Sequence, residues 1–282
     1  MYRTLSILLI SLISICTAAQ KSTVPVKLAT DQSIGSAPSS TEADRPVDTK
    51  LSVDQLEKEA AAMYAHHSYS SVARIYEYMI SRYGYSDKLY YNLGNAYYKS
   101  KNYAPAILNY ERALRLNPGD QDARFNLEMC RTRIVDKINP VGVIIFTRWY
   151  QSLGNTFDSN TWGIFSIVLF LLFIASLFGF FFAKVTWLKK SSFFVGILSI
   201  CVSILSLVYS GQQRNSIVYP DKAIVFSSTI NVKSSPDQSG TDLFILHEGS
   251  KVTVLSSLGT WSEIELEDGS VGWLETKNIQ II

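Results

Sequence analysis

Thiols and imidazoles, the side chains that most often ligate metals or attack electrophiles, are few in these 282 residues: Cys16, Cys130 and Cys201, and His66, His67 and His247. Three widely separated cysteines make neither a disulfide framework nor a zinc-type cluster, and the histidines add no ligand spacing. A Cys–His hydrolase needs both groups in one exported domain, whereas Cys130 falls in a helical segment and His247 in a strand-rich one. The His66-His67 pair falls in a turn between helical stretches and is read as solvated rather than metal-binding. No catalytic residue, metal or cofactor is assigned, and the chain is read as a binding protein, not an enzyme. Nucleic acid is excluded as a partner by charge, since 26 Lys plus Arg against 24 Asp plus Glu leave +2 and no basic footprint. What remains is a set of aromatic and polar side chains at regular positions, and these depend on the elements that present them.

Composition points first to a membrane: 47% of residues are hydrophobic and only 18% charged, against about 25% charged in an average soluble domain. Residues 159–183 carry no charge, nor do 191–213, and each run is long enough to span. Both are apolar on every face, and no soluble part of the chain is large enough to bury two such helices. Spans are expected at 161–183 and 191–213. Between them residues 184–190, KVTWLKK, hold three Lys and no acid, which places this turn in the cytoplasm and both flanks outside. Trp162, Trp187 and Tyr209 stand near the span ends, where amphipathic rings favour the lipid interface.

The start of the chain agrees with that topology. Arg3, the apolar run Leu5 to Cys16 and the small residues Thr17, Ala18 and Ala19 have the layout of a secretory signal, residues 1–19. The run is shorter than the ~20 residues of a span, which disfavours an uncleaved anchor, and Ile15 is not the small residue that a lipidation motif needs before Cys16. Residues 20–51, rich in Ser, Thr, Ala and Pro, read as a flexible linker. In residues 135–160, Ile145, Trp149, Leu153 and Phe157 recur at i, i+4, the pattern of an amphipathic connector lying at the membrane surface or packed on the preceding helix.

Residues 52–134 have a 34-residue period. From Asp87 to Asp120, Tyr90, Leu93, Gly94, Tyr97, Ala106, Tyr110, Ala113 and Pro118 fall where a tetratricopeptide (TPR) repeat has its signature residues, and the segment resembles one closely. Gly94 and Ala106 let two antiparallel helices approach, Tyr97 and Tyr110 fill the space between them, and Pro118 stops the second helix. A weaker copy precedes it, with Tyr69, Val72, Tyr76 and Met79 one period upstream and Ala60 in place of the glycine. Residues 120–134 restart a first helix and cap the array, with Leu127 one period after Leu93. Two repeats plus a cap are about the minimum that buries its own core. The resemblance implies a concave face of first helices that receives a peptide or helix. Lys88, Tyr91, Asn95 and Tyr98 should line it, with Asp54, Glu57 and Tyr64 from the earlier repeat. Asp122 and Asn126 stand where a carboxylate-clamp array has basic residues, so capture of a C-terminal carboxylate is disfavoured.

Residues 222–282 alternate in short runs between turn residues, the texture of a small β-barrel. Asn231 to Pro236, Glu248-Gly249, Gly259-Thr260-Trp261 and Asp268-Gly269-Ser270-Val271-Gly272-Trp273 follow the order of landmarks in a bacterial SH3 (SH3b) domain, which this segment resembles. Asp268-Gly269 fits a hairpin turn between strands whose Ile264, Leu266 and Val271 point inward. The resemblance implies a shallow aromatic groove for peptides or wall material, with Trp261 and Trp273 the candidates to line it. Alternation puts Trp261 with Glu263 and Glu265 on the solvent side, and Trp273 is expected to be the more deeply packed of the two.

The fold class is therefore a multidomain membrane protein: an α-solenoid, a two-helix membrane hairpin and a small all-β SH3-like barrel. This order of modules resembles the BatE-type proteins of the bacterial aerotolerance (Bat) operon. The resemblance implies a periplasmic scaffold in the inner membrane that works with other Bat-type membrane proteins, including ones bearing von Willebrand A domains, in tolerance of oxygen or envelope stress. Membrane lipid is a further partner, and peptidoglycan is the alternative ligand of the barrel. The topology is open to test by cysteine labelling of intact cells from outside. A probe at Ser235→Cys should react and one at Ser191→Cys should not; the opposite pattern would reverse the orientation.

Overall fold

The computed structural model describes residues 51–138, 142 and 145–282. The expected signal (1–19) and the linker (20–51, save Leu51) lie outside these described residues. Five helices come first: α1 (Val53–Ala65), α2 (Tyr69–Tyr83), α3 (Asp87–Lys99), α4 (Tyr103–Leu116) and α5 (Gln121–Arg131). Their starts repeat at the sequence period, because Ser52, Ser86 and Asp120 each accept a backbone N–H three residues on, at Gln55, Leu89 and Ala123. Gln55 returns the bond to Ser52, completing a capping box. The turns inside the two repeats match as well: His67 and Lys101, one period apart, both adopt φ near +60° (61° and 64°). The weak upstream copy is thus a true repeat, and His66 and His67 are exposed in its turn.

Packing follows the signature residues. A Cβ on Gly94 would lie 2.8 Å from two ring carbons of Tyr110, so the glycine is what lets α3 and α4 touch, and Tyr110 is fully buried between them. Leu56, Ala60, Val72, Ile75 and Met79 form the core of the first pair with Leu93 and Ala96 of the second.

Next come α6 (Ile145–Gly154), α7 (Ser159–Phe182) and α8 (Thr186–Val218). The last two are long and apolar enough to cross a membrane, and only 6% and 22% of their most apolar stretches are buried, unlike core helices of a soluble domain. Between them Ser192, Gly196, Ser199, Ser203, Ser206 and Ser210 of α8 recur at alternating steps of four and three, the period of a left-handed helix pair joined through small residues. Ser203 Oγ donates to the Ser166 carbonyl at 2.8 Å and Ser210 Oγ to that of Ser159 at 2.9 Å. The turn is shorter than residues 184–190: helix resumes at Thr186, so only 183–185 are non-helical and the Lys189-Lys190 pair lies in the first turns of α8. Helix α7 starts two residues before its expected span and ends one short of it, whereas α8 overruns the expected 191–213 at both ends.

Helix α6 packs against α8. The Tyr150 ring lies 4.7 Å from that of Tyr209, whose hydroxyl donates to the Tyr150 carbonyl, and Gln213 donates to the carbonyls of Gly154 and Phe157. Phe146 and Trp149 stay exposed, as rings at the lipid interface would.

The chain ends in seven antiparallel strands: β1 (Lys222–Val225), β2 (Thr229–Lys233), β3 (Asp242–His247), β4 (Lys251–Leu258), β5 (Trp261–Glu265), β6 (Val271–Glu275) and β7 (Ile279–Ile281), in the order β3-β2-β6-β5-β4-β1-β7. Asp268-Gly269 makes the expected turn, with Gly269 at φ 84° and the Ser270 N–H on the Asp268 side chain. Inside lie Ala223, Val225, Val232, Leu246, Val252, Ile264, Leu266 and Leu274.

Barrel and repeats are joined by a buried seam. Ile224 and Ile282 share one apolar cluster with Ala104, Ile107, Leu108, Leu127 and Cys130 of α4 and α5. Beside it the buried Glu111 takes Lys251 Nζ on both carboxylate oxygens at 2.7 Å and Arg131 at 2.8 Å. Arg112 and Arg115 donate to the main-chain oxygens of Ile281 and Ile282. Just past α5, Asp136 accepts the backbone N–H of His247, faces its Nδ1, and accepts Ser250 Oγ, at 2.7, 2.7 and 2.5 Å. Gly249, at φ 87°, admits Ile134, whose Cγ2 would be 2.6 Å from a Cβ there.

Burial alone would raise the Glu111 carboxyl, but Lys251 and Arg131 outweigh it and hold the group below the usual carboxylate range. Asp136 is also lowered: burial opposes, and hydrogen bonds from Ser250 and His247 prevail. Groups depressed in the fold contribute stability fully present above their unfolded values, about 4, and lost as pH falls through the folded ones. The full-length protein should therefore lose the seam in acid and hold it at neutral pH, read as amide exchange of β1. Glu111→Ala, which leaves Lys251 unpaired and Arg131 with Glu128 alone, should cost roughly 2–4 kcal/mol, less than a wholly buried pair would, because Arg131 is 34% exposed. An unchanged melt and unchanged β1 protection would show that the ion cluster does not hold the modules together.

Candidate functional site

Two surfaces carry the side chains singled out by the sequence. On the repeats, α1, α3 and α5 are the first helices. Lys88 and Glu57 are exposed, and Tyr64, Tyr91 and Tyr98 are half-buried. Burial, then the nearby Tyr69 and Tyr91, raises the Tyr64 hydroxyl, and the Tyr64 ring lies edge-on to that of Tyr69 at 5.1 Å. Asn95 is not free for a partner. Its Oδ1 accepts Tyr110 Oη at 2.7 Å and Asn126 Nδ2 at 2.9 Å, and Asn126 also reaches Tyr91 Oη at 3.3 Å. This side chain braces α3 against α4 and α5, and Tyr91 is partly drawn into the same network.

The sequence reading passed over Phe125 and Met129. They lie one period after Tyr91 and Asn95, on the same face of the capping helix, and are 66% and 36% exposed. The 34-residue register alone could have named them. With Tyr64, Tyr91 and Tyr98 they make an aromatic and thioether surface suited to an apolar helix or peptide face, bordered by Asp54, Glu57 and Lys88.

The second surface is the outer side of β5 and β6. Trp261, Glu263 and Glu265 are half-buried while Ser262, Ile264 and Leu266 are buried, as alternation requires. Trp273 departs from its expected deeper packing, and Val271 from its expected inward place. Gly272 and Leu274 take the inward positions of β6, so Val271, Trp273 and Glu275 face out with Trp261. The reason is local: a Cβ on Gly272 would lie 2.5 Å from Val232 Cγ1, so the glycine slot is filled from the neighbouring strand. The two Trp residues therefore share one face, Trp261 opposite Glu275 and Trp273 opposite Glu263.

Cys130 is buried in the seam and its thiol is pushed up to about 12 by desolvation. Among the described residues no group of three His, Cys, Asp or Glu is placed to hold a metal ion.

Residues 88–120 match the family described as tetratricopeptide repeat, and residues 228–280 match the bacterial SH3 domain. No curated protein and no solved structure matches the chain. The architecture is thus a helical-repeat region with a TPR unit, two apolar helices and an antiparallel bacterial SH3 barrel. Both modules are of kinds that bind proteins or peptidoglycan.

The shared outward face removes the expected difference between the two Trp residues. Trp261→Ala and Trp273→Ala should each cost about 1 kcal/mol, whereas Ile264→Ala and Leu274→Ala should cost about 2–5 kcal/mol, as measured by thermal melts of the full-length protein. A Trp273 variant as damaging as Leu274→Ala would restore the deeper packing.

Proposed function

We propose that the chain is a non-enzymatic scaffold anchored in the inner membrane of a bacterium, with its repeats and barrel in the periplasm. Its partners are membrane proteins, read from the BatE-type order of modules as other Bat-type proteins, including ones with von Willebrand A domains, in an aerotolerance or envelope-stress complex. The observation that carries the reading is two binding modules sharing a buried seam beside two membrane-length helices. The repeats offer Tyr64, Tyr91, Tyr98, Phe125 and Met129 to a partner's apolar face, and the inward-facing Asn95 keeps that surface rigid. The outward Trp pair of the barrel supports a second reading, a tether whose SH3b domain holds peptidoglycan peptides.

Affinity purification of the detergent-solubilised full-length protein, followed by mass spectrometry, separates the two. Proteins with von Willebrand A domains should copurify with wild type and be lost with Phe125→Ser/Met129→Ser, whose melt should stay near wild type because both side chains are exposed. Retention of every partner by that variant would remove the groove from the interaction. Capture of the full-length protein on purified wall sacculi, without protein partners, would favour the tether.

A further inference from the structure

The outer face of β5 and β6 is a checkerboard of indole rings and carboxylates. Trp261 pairs with Glu275, Glu263 with Trp273, and Glu265 with Val271, so the rings sit on a diagonal within reach of each other with a carboxylate beside each. The cations nearby are already engaged. Lys233, opposite Trp273, is held by Asp242 and the Gly240 carbonyl, both at 3.0 Å, and Lys277 is held by Glu275 at 2.5 Å. Glu263 accepts only the Ser256 hydroxyl, at 2.8 Å, and among the described residues neither Glu263 nor Glu265 has a cationic partner. Glu267 and Asp268 add two exposed carboxylates at the turn beyond β5. A cation placed here is attracted both by the ring faces and by unneutralised acids.

Taking this face as a binding surface, as the proposed function does, we infer that it holds a basic, extended segment of a partner protein. Lys or Arg side chains would lie over Trp261 and Trp273, with their head groups on Glu263 and Glu265. These two carboxylates stand about 7 Å apart along the strand, the repeat of alternate side chains in an extended peptide, so basic residues at i and i+2 match them. Charge separates this occupant from wall material. Stem peptides carry free carboxylates of their own, which an acidic face repels, whereas a basic protein segment carries none to oppose the amines.

The test uses the full-length protein in detergent and fluorescence polarisation of a labelled octapeptide alternating Lys and Thr. Wild type should bind it, more weakly as salt rises. Affinity should fall at least about tenfold when the lysines are acetylated, and by as much in Glu263→Gln/Glu265→Gln; soluble muropeptides should not compete. No binding by wild type, equal binding of the acetylated peptide, or unchanged binding by the Gln variant overturns the inference. Competition by muropeptides overturns it in favour of the wall. Should Trp261→Ala and Trp273→Ala lose binding while the Gln variant keeps it, the inference of a basic occupant falls and the face remains a binding surface. If the Trp variants change the binding of no probe, the face is not a binding surface and the tether reading falls as well, while the reading of the repeat groove stands.

Discussion

A carboxylate cannot be buried at the junction of two domains unless cations are brought to it, and Glu111 imposes that condition on this molecule. It lies on α4, packed toward the barrel, where water no longer solvates it. One cation comes from the next helix, Arg131, and the other from a strand 140 residues further on, Lys251. The placement of the barrel brings Lys251 to both carboxylate oxygens of the acid. The surrounding contacts agree with that placement: Ile224 and Ile282 enter the repeat core, Arg112 and Arg115 take main-chain oxygens of the last strand, and Asp136 ties the chain leaving α5 to the β3–β4 turn.

This seam alters what the two modules are. A bead-on-string reading would let the groove and the Trp face move independently, joined only through the lipid. Here α4 serves both as second helix of its repeat and as the floor on which β1 lies, while α4 also touches α8. Each surface therefore belongs to one platform, and the serine-lined pairing of α7 with α8 fixes the two chain ends that enter it. A partner that binds one surface meets the other at a set distance, so occupation of both becomes an intramolecular step rather than a second encounter.

Much of this was legible in the sequence, for reasons that are local. Caps at 52, 86 and 120, the Gly94–Tyr110 contact and the Asp268-Gly269 turn each depend on residues within one or two elements, and periodicity reports such elements directly. The seam was not, because Glu111 looks like any other acid on a helix until Lys251 is brought to it. One signal did stand in the sequence: Ala223-Ile224-Val225-Phe226 is an unbroken apolar run, not an alternating one, and a strand of that kind is covered on both faces. The misplacement of Trp273 has a related cause. Its inward neighbour Gly272 has no side chain to mark which face is core, and the apolar Val271 counted toward the wrong side.

The same contacts bear on how the modules can be studied. An excised barrel would expose Ile224 and Ile282, would leave Lys251 without its acid and would free the Asp136-bound turn at His247 and Ser250. Excised repeats would in turn carry Glu111 with Arg131 alone and leave Ile107 and Leu108 bare. Each fragment gains a new apolar patch beside an unbalanced charge, and such a patch attracts partners that the intact chain never presents. Binding seen with a fragment thus mixes its native face with its torn one. The seam also takes Leu127, Cys130 and Arg131 from α5, and Tyr91 and Tyr98 pack against its apolar cluster, so in the intact chain it is the exposed Phe125 and Met129 of the groove, and the Trp pair on β5 and β6, that can be substituted without opening the seam.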